Sequence, residues 1–174
     1  MALLLLVCFG PASGQIQYEG IPVPPYEFYE ALLAYADQKD FDSFPGALKF
    51  TLPLMKYLDR TYGEGLEAQL NSAVKDRDPA RLMGSLRRVL YLDLVSHLQA
   101  VAAGPEASRQ DRAQMAFINY SFLSPEVRRL SRERDAAIRR AFRDLLAGRG
   151  GAGVTAEAGR IEKDIEAGLG WGHP

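Results

Sequence analysis

The stretch "GSLRRVLYLDLVSHLQAVAA", residues 84–103, decides what kind of fold this chain adopts. Leu86, Val89, Leu90, Leu92, Leu94, Val95, Leu98 and Val101 would cover most of the circumference of a helix, whereas a half-buried strand would alternate apolar and polar residues. A helix that is apolar nearly all round belongs in the middle of a core. Other helices must therefore pack around this one. Its main polar stripe is Asp93, Ser96 and His97 at helical neighbour spacing, with Gln99 about one turn beyond Ser96.

Outward from this helix the chain keeps to helical punctuation. Asp78-Pro79 provides an N-cap and a proline whose missing N–H costs nothing in a first turn, and Gly104-Pro105 closes the helix near Ala103. Upstream, Pro22, Pro24 and Pro25 force an extended lead-in, after which a helix runs from about Tyr26 to Gln38. The stretch "DFDSFPGALKFTLPLMKYLDRTYG", residues 40–63, predicts a helix capped by Asp42 or Ser43, with Pro45 in its first turn, a kink at Pro53 and a stop at Gly63. A short helix spans Leu66 to Lys75. Downstream, one helix is expected from Ala107 to about Phe122, and another from Ser124-Pro125-Glu126, re-capped at Ser131 and continuing to Leu146. "AGRGGAGVT", from 147, reads as a flexible link before a last amphipathic helix, Thr155 to Leu169, and the tail "GWGHP". No segment alternates with β-branched enrichment, so strands are not expected.

The expected fold is an all-α bundle of about five to seven helices built from hairpins. Its expected divisions are a helical domain over 15–147, a Gly-rich link over 148–154, and a C-terminal helix and tail over 155–174. A weak tetratricopeptide-like repeat runs through it. "KDFDSFPGALKFTL" at 39 and "RDPARLMGSLRRVL" at 77 share Gly46/Gly84, Leu48/Leu86 and Leu52/Leu90, while "YLD" recurs at 57 and 91. The first correspondence is offset by 38 residues and the second by 34, so two similar hairpins fit better than a solenoid of one fixed period.

The chain begins "MALLLLVCFGPASGQIQ". Leu3 to Phe9 is apolar but far short of the roughly 20 residues that span a bilayer, and Ala12-Ser13-Gly14 has the small side chains a signal peptidase accepts. Residues 1–14 are read as a cleaved export signal, giving a periplasmic or extracellular protein. Cys8 is the only cysteine, so the processed chain would have no thiol for a disulfide, a thiolate metal site or nucleophilic catalysis. A net charge of −1 argues against nucleic acid as a partner. The charge is uneven, with seven acids against four bases over 15–60 and eight arginines against four acids over 125–149.

Candidate chemistry is sparse. Asp93 and His97, one turn apart, can share a metal ion, and Glu27 and Glu30 on one face of another helix could complete the set, with Asp59 after them. Such ligands suit a divalent or ferric ion of the iron, manganese or zinc type. The acidic, tyrosine-rich stretch 18–42 is similar in composition to acidic periplasmic segments of bacterial iron-uptake systems. The chain has no HxxE, RExxE or CxxCH motif, no GxSxG elbow, and no glycine-rich loop placed between a strand and a helix.

The stretch "EVRRLSRERDAAIRRAFRDLL" from 126 carries the clearest surface signal. On a continuous helix Arg128, Arg129, Arg132, Arg139, Arg140 and Arg143 would fall within about 120° of arc, opposite Val127, Leu130, Ile138, Phe142 and Leu145. Such a ribbon suits an acidic protein surface or an anionic membrane surface. The sequence thus predicts a non-catalytic, exported helical accessory subunit that binds a protein partner in a periplasmic or membrane-associated assembly, needing no cofactor. The alternative is a periplasmic metal-ion handling protein.

Overall fold

The computed structural model describes residues 26–148, 153–169 and 171, and the backbone of 17–18 and 21–22. The expected export signal, most of the Gly-rich link and His173 lie outside them. A two-residue antiparallel pair, β1 (Gln17–Tyr18) with β2 (Ile21–Pro22), precedes seven helices. These are α1 (Tyr26–Gln38), α2 (Phe44–Tyr62), α3 (Leu66–Lys75), α4 (Pro79–Ala103), α5 (Glu106–Leu130), α6 (Arg132–Leu146) and α7 (Val154–Leu169). The described residues thus form an all-α bundle.

The hub is α4. Every residue from Val89 to Leu98 is buried, as the all-round apolar pattern requires, and α4 packs most extensively against α5, then against α7, α3, α1 and α2. Its start is fixed by the Asp78 carboxylate, which accepts the N–H groups of Ala80 and Arg81 at 3.0 Å each, with Pro79 in the first turn. The start of α3 is capped from another helix, since Asp59 of α2 accepts the N–H groups of Leu66 at 2.5 Å and Glu67 at 3.2 Å. Between them Gly63 ends α2 at φ +72°, a left-handed conformation that costs a glycine nothing.

The tetratricopeptide-like repeat is not found in the fold. Its two phrases run into α2, which exposes Lys49 and Phe50, and into α4, which is buried throughout Val89–Leu98. A solenoid unit touches only its neighbours, whereas α4 contacts helices from both ends of the chain.

One further departure occurs downstream. No helix begins at Ser124: α5 continues through Pro125, whose ring lies on the exposed side while the Ser124 hydroxyl points inward. The break falls instead at Ser131, in extended backbone at φ −156°, ψ +107°, where its hydroxyl accepts the Arg134 N–H at 3.2 Å and caps α6. Beyond it, α7 sets Ala158, Ile161 and Ile165 into the same core and packs against α4, α6 and α5. No helix among the described residues is long and apolar enough to cross a membrane.

Candidate functional site

Asp93 and His97 do come together, with no side-chain exposure at either. Asp93 Oδ2 accepts the Tyr29 hydroxyl of α1 at 2.9 Å and the Asn119 amide of α5 at 2.7 Å, so three helices meet on one carboxyl oxygen. His97 Nε2 lies 3.7 Å from Asp93 Oδ1, beyond hydrogen-bond range. Burial, reinforced by the positive charge of Arg112, lowers the His97 pKa to about 3, so the ring is neutral at ordinary pH. The Asp93 carboxyl ties α1 and α5 to α4 through Tyr29 and Asn119, beside a neutral imidazole, in a junction closed to solvent.

The remaining expected metal ligands are elsewhere. Glu27 and Glu30 are exposed on α1, although Tyr29 between them reaches Asp93, and Asp59 is committed to the start of α3. Among the described residues, no three or more His, Cys, Asp or Glu side chains are grouped to hold a metal ion. Neither Tyr29 nor Asn119 was singled out in the sequence. Their only signal there is a polar group inside an otherwise apolar helical pattern.

The arginine ribbon is divided. Because the chain breaks at Ser131, Arg128 and Arg129 belong to α5 while Arg132, Arg139, Arg140 and Arg143 belong to α6. Two of them turn to a buried acid: Arg128 Nε lies 3.1 Å from Asp135 Oδ2 and Arg139 Nε lies 3.2 Å from Asp135 Oδ1. The same carboxylate accepts the hydroxyls of Tyr120 at 2.8 Å and Ser124 at 2.5 Å. Burial alone would raise the Asp135 pKa, but those hydroxyls and arginines outweigh it and hold the group below its ordinary value. Arg129 pairs with Glu126 at 2.6 Å. What remains toward solvent is the α6 face, where Arg132, Arg140 and Arg143 are all exposed.

At the other end of the chain lies an exposed aromatic surface. The rings of Phe28 on α1 and Phe50 on α2 stack at 4.8 Å and 14°, with Phe50 62% exposed and Tyr26 46% exposed. The acids of α1, Glu27, Glu30 and Asp37, are exposed, and that helix carries no base. None of the ion pairs between described residues joins these acids to the arginines of 128–143.

No family model, curated protein or solved structure matches this chain.

Proposed function

We propose that the chain is a non-catalytic, exported helical subunit that docks on a protein partner in a periplasmic or membrane-associated assembly. The observation that carries this reading is the stacked Phe28–Phe50 pair, which holds a large aromatic ring in water at 62% exposure. A rigid aromatic platform loses little entropy when it is covered, and such rings anchor the centres of interfaces. Glu27, Glu30 and Asp37 give α1 an acidic exposed surface, so the fitting partner has an apolar centre and a cationic edge. The apolar run Leu3–Phe9 with its small-residue end supports export. Arg132, Arg140 and Arg143 supply a second, basic face suited to an acidic neighbour or an anionic membrane surface.

The test is site-specific photocrosslinking in the native cell, with the photoreactive residue placed at Phe50, Arg140 or the exposed Gln114. A discrete partner band from position 50, lost when Phe28→Ser is added, is the expected result. A pattern at position 50 indistinguishable from that at Gln114 overturns the reading.

A further inference from the structure

A cleft of about 340 Å³ opens where the end of α4, the first turn of α5, the end of α6 and the start of α7 converge. Its walls are largely aliphatic: Val101, Ala113, Leu145, Leu146 and Val154. Arg109 also lines it, with Glu106 and Gln110, and the Arg109 Nε is buried with no hydrogen-bond partner.

That arginine differs from most of the others, of which Arg60 and Arg134 donate to backbone carbonyls. Arg77, Arg81, Arg87, Arg88, Arg128, Arg129, Arg139 and Arg160 each pair with a carboxylate. Arg132, Arg140 and Arg143 stand in water. Arg109 is half-buried and enters none of the ion pairs, although Glu106 lies one turn away on the same helix. A guanidinium taken partly out of water gives up hydration that only an acceptor restores, and its planar fork matches a carboxylate. Glu106 leaves the lining with one formal charge of each sign, which favours a monoanion over a dianion such as phosphate. An aliphatic wall with one placed cation is the usual make-up of a small-molecule site.

We propose that this cleft binds a small monocarboxylate with an apolar body, Arg109 holding the carboxylate and Val101, Leu145, Leu146 and Val154 covering the chain. This site is separate from the aromatic docking face.

Decanoate is the probe, titrated below its micelle concentration and followed by calorimetry and by backbone amide shifts. 1-Decanol serves as the uncharged control. Saturable decanoate binding is expected, with shifts confined to residues near 101, 109–113, 145–146 and 154, and decanol should bind about tenfold more weakly or worse. Arg109→Gln should weaken decanoate by about tenfold or more while leaving decanol unchanged, and Arg109→Lys should restore part of the loss. Val154→Trp, which fills the mouth from the start of α7, should abolish both. Circular dichroism establishes that each variant is folded. Equal decanoate affinity in the wild type and Arg109→Gln, shifts centred elsewhere, or no saturation overturns the proposal.

Discussion

Asp93 and Asp135 are both almost sealed from water, at 0% and 4% exposure, yet the hydrogen bonds they accept come from different donors. At the centre of the bundle, Asp93 receives a tyrosine hydroxyl and a carboxamide, short neutral donors that fit between helices already in contact. At the α5–α6 corner, Asp135 receives two hydroxyls and two guanidinium groups, and Arg128 and Arg139 keep 55% and 36% of their side chains exposed while doing so. Position decides which donor is available. An arginine can reach a buried acid from the surface with its stem along the protein and its head half in water, whereas a guanidinium nearer the bundle centre, such as Arg112 beside His97, gives up more of its hydration.

The surest way to break this contrast is to wet the central junction. Leu90→Ala or Leu94→Ala, at fully buried positions one turn or less from Asp93, should each cost about 2–5 kcal/mol in chemical denaturation. A near-zero cost at both would mean that α4 is not the core helix. Comparable in size is the loss of the acid itself. Asp93→Ala deprives the Tyr29 hydroxyl and the Asn119 amide of their acceptor in a dry site, at about 1–3 kcal/mol for each group left unsatisfied. Asp135→Ala should cost less, since Arg128 and Arg139 can turn back to water. Equal costs would erase the distinction between the two sites.

A pH series sharpens it further. His97 has a folded pKa of about 3 against 6.5 when unfolded, so above pH 6.5 both states are neutral and its contribution is level. Between pH 6.5 and 3 the unfolded chain takes up a proton that the folded chain refuses, and stability falls with falling pH. The groups facing the ring are Arg112, whose charge deepens the effect, and Asp93, whose Oδ1 lies 3.7 Å from the ring Nε2. The loss at pH 5 relative to pH 8 should be about 2 kcal/mol and should vanish in His97→Gln. A persisting slope in that variant would assign it to the carboxylates. The smallest effect is local: Ser131→Ala removes the α6 cap and should cost about 1 kcal/mol, with no change at the α4 junction.

Helix limits were legible wherever a cap or stop is a local event. Asp78-Pro79 and Gly63 needed only their own neighbours to be read, and α4 begins and α2 ends where those signals place them. Pro125 misled because a proline on the solvent side of a long helix is tolerated when tertiary packing holds both halves, and because Ser124, which resembles a cap, spends its hydroxyl on Asp135. The Asp93–His97 pair was legible from spacing. Its donors were not, since Tyr29 and Asn119 lie 64 and 26 residues away and nothing local announces the meeting. The six arginines were legible as a ribbon on one helix. The re-cap at Ser131 is a local signal and was legible, but the inward turn of Arg128 and Arg139 depends on where Asp135 comes to lie, which is a property of the assembled corner.

The short joint at Gly104-Pro105 has a kinetic consequence. It joins α4 and α5, the pair with the most extensive contact in the bundle, so their hairpin forms across a joint of only two residues. Contact between α4 and α7 requires closing a loop of about fifty residues, and that ordering cost is met only once α5 and α6 are in place. The hairpin is therefore the expected folding nucleus and α7 the last helix to dock. In native-state hydrogen exchange, the amides of Val89–Leu98 should open only with global unfolding, while those of α7 should exchange through an earlier, partial opening that leaves the α4–α5 pair intact.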